Sequence, residues 1–451
     1  MTQIGTVETR LDSFDPRERK AALRELVKGL PNALPGSNVN MHFHSFFSCN
    51  ALGYSPTRIA WEARKAGLYA AGLCDFDVLD ALEEFLAAGL MLGLRSTVNL
   101  ETRAYMKEYA AVDLNSPGEP GITYVMGAGF ARQPEGGSAA HRTLAGFRDK
   151  ARQRNVALVD RINARLPEIA VSYEKDVLSL TPAQTATERH IVRAYVNRAG
   201  SHFQAGQLVS FWARVLAKPE SDAAKLVANL TALEEAARNR LVKQGGLAYE
   251  PPSVETFPPI EDFFQWVLSC RAIPMMTWLD GMSAGESRSE ELLLKCREKG
   301  AAAINIIPDR NWNIRDAAAK AAKTAKLREV VETAVKLHMP INIGTEMNKA
   351  GLPFADDLAG EALRPYREAF LAGARIFVGH TWLLRYADFP FVGAGAAAEF
   401  GGNGGGRNRF FESVGKLPPL TAPLASRLEE IGGEKALAFI RDSARAGEWK
   451  K

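Results

Sequence analysis

Cysteine is scarce in this chain: Cys49, Cys74, Cys270 and Cys296 are spread over 451 positions and never form a Cys-x-x-Cys. That spacing speaks against a zinc finger or a disulfide framework and points to a reducing compartment. Long hydrophobic runs are missing as well, since no stretch approaches about eighteen uninterrupted apolar residues. The opening segment carries Asp15-Pro16-Arg17-Glu18-Arg19-Lys20 and no apolar stretch of signal type. The expectation is a cytoplasmic protein with no membrane partner. Charge bias is weak too: 56 Lys and Arg against 52 Asp and Glu leave a formal charge of +4, too little to indicate a nucleic-acid partner or to exclude one. What the chain does have is an ordinary globular composition, 46% hydrophobic and 24% charged. Its length allows one large α/β domain with an insertion, or two to three smaller domains, and leaves oligomerisation open.

The most informative motif is His42-Phe43-His44, in the run Val39-Asn40-Met41-His42-Phe43-His44-Ser45. Residues two apart on a strand share a face, so both imidazoles can close on one metal ion while Phe43 packs on the other side. An isolated His-x-His reads more readily as two hydrogen-bonded histidines at a strand end. The rest of the chain decides between these readings.

Residues 16–30 have the pattern of a charged amphipathic helix, followed by the turn-rich link Pro31-Asn32-Ala33-Leu34-Pro35-Gly36. After the first strand, Ser55-Pro56 starts a helix through Arg58 to Ala66, stopped by Gly67. A strand from Tyr69 to Cys74 runs into Asp75-Phe76-Asp77, where Asp77 can cap a helix from about Leu79 to Leu92. The next strand, Ser96 to Leu100, ends at Glu101, and a fourth covers 122–130. This strand–helix rhythm implies parallel strands. From about 137 to 245 the periodicity is almost wholly helical, which reads as an insertion. The rhythm resumes with Ala272 to Trp278 before Asp280, Ala301 to Ile307 before Asp309, Pro340 to Ile343 before Glu346, and Arg375 to Val378 before His380. Eight candidate strands predict an α/β chain folded as a distorted, TIM-like (β/α) barrel with a large helical insertion, an open doubly wound sheet being the alternative. The expected divisions are an N-terminal helix and linker over 1–36, the barrel over 37–390 with the insertion at about 131–260, and a Gly-rich loop with helical segment over 391–451. The run from Gly401 to Gly406 lacks a Gly-Lys-Ser/Thr ending and reads as a flexible loop, not a phosphate cradle.

The expected strand ends thus collect His42, His44, Asp75, Asp77, Glu101, Asp280, Asp309, Glu346 and His380. Imidazole with carboxylate suits a divalent transition metal such as zinc, manganese or iron, and the reaction class that follows is metal-assisted hydrolysis. Asp77 and Asp309 also have backbone-capping roles open to them, Glu101 can pair with Arg103, and His141, His202 and His338 read as surface or packing residues.

These motifs, in this order, resemble the polymerase and histidinol phosphatase (PHP) family over most of residues 38–350. His42-Phe43-His44-Ser45 is similar to the family's opening His-x-His, and Ala63 to Asp75 to its helix and the strand ending in Thr-Asp-His. Glu101 falls where the family has its bridging glutamate, Glu188-Arg189-His190-Ile191 resembles its Arg-Pro-His-Ile, and Gly344-Thr345-Glu346-Met347-Asn348 its closing Gly-Ser-Asp-x-His. The resemblance implies a metal-dependent phosphoesterase acting on a small, anionic phosphorylated molecule or nucleotide. It also implies a metal-ligand set of His42, His44, Glu101, His190 and Glu346. Several family ligands are replaced: Asn50 stands near a missing histidine, Phe76 follows Asp75, Trp278 stands where Ala-His-Pro is usual, and Asn348 ends the last motif. The reduced set implies one ion more readily than a full cluster, with Asp75, Asp280 or His380 as acid or base. Arg189, Lys349 and Arg385 are the candidates for binding an anionic substrate. An amidohydrolase-like or lyase activity on one ion, or a non-catalytic barrel that binds a ligand, are the competing readings.

Overall fold

The computed structural model describes residues 3–29, 36–253 and 255–450. The link expected at Pro31 to Pro35 lies outside the described residues. Among the described residues, seven strands form one sheet in sequence order: β1 (Val39–Phe43), β2 (Ala70–Phe76), β3 (Arg95–Tyr105), β4 (Ile122–Ala128), β5 (Ile273–Trp278), β6 (Ala303–Ile306) and β7 (Ile341–Ile343). Strands β1 to β3 are parallel, β4 runs antiparallel to both β3 and β5, and β5 to β7 are parallel again. A parallel bridge between Phe43 and Glu346 brings the last strand's exit against the first, so the sheet is nearly closed. Strands β1, β5, β6 and β7 are buried along their whole length, as expected where helices cover the outside of a rolled sheet.

Four expectations are corrected. The antiparallel β4 breaks the all-parallel pattern. It also explains why β3 continues past Glu101 to Tyr105, because residues 100–105 pair with 127–122. Asp77 does not cap the following helix, which begins at Leu82; instead it sits at φ 59° and accepts a hydrogen bond from Thr102 Oγ1 at 2.5 Å. The eighth expected strand, Arg375 to Val378, is part of a helix spanning Arg367–Ala387. That run is apolar because the helix is buried on most sides, and a short apolar run carries no period by which strand and helix could be told apart. The Gly-rich run is not a loop throughout: the Asn403 side chain accepts from Gly406 N at 2.8 Å and starts a helix over Gly404–Lys416.

The Arg367–Ala387 helix packs on that Gly404–Lys416 helix at a crossing where a Cβ on Gly415 would lie 1.9 Å from the Arg375 carbonyl oxygen. Only glycine permits that approach. The C-terminal helices, Ala422–Ile431 and Gly433–Ala446, contribute Leu428 and Ile440 to the same core as the strands. Between β4 and β5, helices including Ala139–Arg165, Glu188–His202, Ala205–Leu216 and Leu230–Leu241 enclose a separate core around Ile162, Tyr195, Trp212 and Leu241. Among the described residues, no helix is long and apolar enough to cross a membrane.

Candidate metal centre

Strand β1 presents His42 and its exit presents His44, while β3 brings Glu101 to them. His42 Nε2 and His44 Nε2 each lie 3.5 Å from Glu101 Oε2, and the three residues are buried. They are the cluster of metal-capable side chains found among the described residues, with one donor atom from each lying within 4.8 Å of the others. None of these three atoms has a hydrogen-bond partner among the described residues. Leaving three polar atoms idle in the interior is costly unless something else satisfies them. Tetrahedral bonds of about 2.1 Å place neighbouring ligand atoms about 3.4 Å apart, which matches the two observed separations. The residues present therefore fit a divalent ion.

The ring nitrogens facing away fix the tautomers. His42 Nδ1 lies 3.3 Å from Asn305 Oδ1, an oxygen that also accepts from Asn342 Nδ2 at 2.9 Å, so His42 is the donor there. His44 Nδ1 lies 3.0 Å from Ser48 Oγ, whose own proton goes to Asp75 Oδ1 at 2.7 Å. With Nδ1 protonated in both rings, both Nε2 lone pairs are free for a metal. Burial, then the neighbouring His42, pushes His44 down to about 3 and keeps it neutral. Burial also opposes charge on His42, but Glu101 outweighs it and raises His42; burial in turn raises Glu101 against the pull of His42. The His44 ring stacks on Phe76 with centroids 5.2 Å apart. Gly344 leaves room for this strand: a Cβ there would come within 2.5 Å of His42 Cβ.

Asp75 is outside the trio. Its carboxylate accepts from Ser45 N, Ser45 Oγ and Ser48 Oγ, each at 2.7 Å, so it acts on the centre through Ser48 and His44. Burial pushes its carboxyl up to about 6 against those three donors. Glu346 lies beside the trio without joining it. Its backbone carbonyl accepts from His44 N at 2.8 Å, and its Oε2 accepts from Arg310 Nη2 at 3.0 Å. Burial would raise Glu346, yet Arg310, then His42 and His44, hold it down at about 2.

The other expected site residues are outside the three-residue cluster. His190 is at the third position of the Glu188–His202 helix, where its Nδ1 accepts from Thr187 N at 3.1 Å, and it is outside the three-residue cluster. His380 is on a helix, not at a strand end. It packs against Gly129, just past the end of β4 that pairs with the start of β5, which is the end of the barrel opposite the mouth. Asp280 follows β5 and pairs with Lys323 Nζ at 2.7 Å. Arg385 pairs with Glu83 at 3.0 Å and Lys349 is exposed. Arg189 pairs with Glu235 at 3.3 Å, though its charge is felt at His44.

Sequence reasoning passed over Ser48, Asn305 and Arg310. Asn305 did leave a signal, as a lone amide between Ile304 and Ile306 in an otherwise apolar strand. Ser48 and Arg310 left none, because their roles depend on where loops return in space.

No family model matches the chain, and no curated protein matches it in sequence. Among solved structures it is similar to a protein from Bifidobacterium adolescentis assigned as a metal-dependent phosphoesterase, at 16% identity over 75% of this chain and 98% of that one, with a TM-score of 0.46. It is also similar to an amidohydrolase from Chromobacterium violaceum with bound sulfate and no metal, at 15% identity over 74% of this chain and 96% of that one, with a TM-score of 0.48.

Proposed function

We propose that this chain is a metal-dependent hydrolase of PHP type, a phosphoesterase acting on a small phosphorylated molecule or nucleotide, built on a distorted (β/α) barrel. The observation that carries the reading is the convergence of His42 Nε2, His44 Nε2 and Glu101 Oε2, buried and otherwise unpartnered. Two imidazoles and one carboxylate form a set suited to zinc, manganese or iron. When bound, such an ion supplies Lewis acidity and positive charge at the reacting phosphorus.

The chain's own groups do the rest. Asn305 and Ser48 hold the two imidazoles in the ligating tautomer, and Asp75 orients Ser48. Arg310, nearly half exposed above buried Glu346, offers guanidinium donors to an anionic oxygen. Arg189 adds charge from the helical insertion. Protein purified without chelator and examined by elemental analysis is expected to carry a transition metal and to hydrolyse phosphoesters in a panel that also contains amides and lactones, with turnover falling on His42→Ala. No bound metal, and none taken up on addition, overturns the reading.

A further inference from the structure

The mouth of the barrel holds more acid than the trio uses, and it holds a cation opposite that surplus. Glu346 is buried beside His42 and His44, yet it is not part of the three-residue cluster. Its Oε2 is taken by Arg310 Nη2 at 3.0 Å, the one side-chain acceptor that this guanidinium contacts among the described residues. The acid is buried and the Arg310 side chain is 45% exposed, so the cation is open to solvent where its partner is not.

The geometry points to a fixed organic cation in place of a second metal ion: we propose that the centre works with one divalent ion held by His42, His44 and Glu101, that the Arg310 guanidinium supplies the second positive charge to an anionic substrate, and that Glu346 serves Arg310 and not the metal. This rests on the reading of the trio as a metal site.

Three observations support it. The backbone that presents Glu346 is strained and firmly held. Glu346 and Met347 take φ of 63° and 55°, a left-handed conformation that disfavours side chains in two successive residues. His44 N donates to Glu346 O and Ala51 N to Met347 O, each at 2.8 Å. The His-x-His strand and its loop therefore set the position of Glu346, and through it the position of Arg310 relative to the trio. Charge balance gives the second argument. One divalent ion would only neutralise Glu101 and Glu346, and the Arg310 guanidinium adds one positive charge to that balance. The third is chemical: a planar guanidinium keeps several N–H donors free after one contact with a carboxylate, and its fork matches two phosphate oxygens.

The test loads the whole protein with Mn²⁺ or Zn²⁺, removes excess by gel filtration, counts ions per chain by elemental analysis, and titrates inorganic phosphate calorimetrically. One ion per chain is expected in the wild type, in Glu346→Gln, in Arg310→Ala and in Arg310→Lys. Phosphate affinity is expected to fall about tenfold or more in Arg310→Ala and much less in Arg310→Lys, which keeps the charge. Two or more ions per wild-type chain, loss of the ion in Glu346→Gln, or unchanged phosphate affinity in Arg310→Ala would each overturn this proposal while leaving the metal centre standing. A wild-type chain that takes up no ion overturns the metal reading and this proposal with it.

Discussion

The two ends of the barrel both hold buried histidines whose Nε2 lacks a hydrogen-bond partner among the described residues, and only one end resembles a metal centre. At the mouth, His42 and His44 donate from Nδ1 to Asn305 and Ser48, which leaves Nε2 as a lone pair facing Glu101. At the floor, His380 accepts at Nδ1 from Phe391 N at 3.0 Å, which places the proton on Nε2 and bars that nitrogen from ligation. His190 in the insertion is held like His380, accepting at Nδ1 from Thr187 N. A buried, idle imidazole nitrogen is therefore not in itself a site. What separates the mouth from the floor is the direction of the hydrogen bond on the far side of the ring and a carboxylate within reach.

That contrast can be broken most directly at Glu101. Glu101→Ala is expected to abolish stoichiometric metal binding, measured by elemental analysis after loading. Retained binding would show that the mouth owes nothing to its carboxylate. A sharper version removes only the tautomer control: Ser48→Ala should weaken metal affinity about 10- to 100-fold by competition with a chelating dye, the usual cost of losing a partner of a ligating histidine. No change would mean that Asp75 and Ser48 are bystanders.

At the floor the expectation inverts. His380→Leu should leave the ion count untouched but cost about 1–3 kcal/mol in chemical denaturation, because buried Phe391 N loses its acceptor. It should also flatten the acid limb of the stability curve. Burial holds His380 down at about 3 from its usual 6.5, so its contribution is present above about pH 6.5 and is lost as pH falls toward 3. A variant without the imidazole has no such loss. The smallest effect belongs to Arg385, whose partner Glu83 is 55% exposed in its side chain. Arg385→Ala should cost about 1 kcal/mol, since the buried Ala131 carbonyl also loses a donor at 2.7 Å, and change neither metal nor phosphate binding, and a clear loss of phosphate affinity would return it to the site.

Much of the scaffold is legible from local chemistry. The Ser55 cap, for instance, accepts from Arg58 N at 2.9 Å as its Ser-Pro signature suggests. The strands β1, β2 and β5 to β7 fall on the apolar runs that announce them. The run at 375–378 misleads because burial, not pleating, makes it apolar. β4 misleads because the direction of a strand is set by the connection on either side, and a single strand's pattern carries no arrow.

The chemistry divides in the same way. Spacing alone put His42 and His44 on one face, since a period of two is a property of the extended backbone. Which nitrogen each ring frees was settled by Asn305, 263 positions away, and by Ser48 bent back toward Asp75. The partnership of Arg310 with Glu346 likewise depends on the nearly closed sheet that brings the loops after β6 and β7 over the same opening. Local sequence determines what an element is and which way its side chains alternate. Only closure of the barrel decides which distant donors meet, because that depends on the register of strands that pairwise hydrogen bonds fix one neighbour at a time.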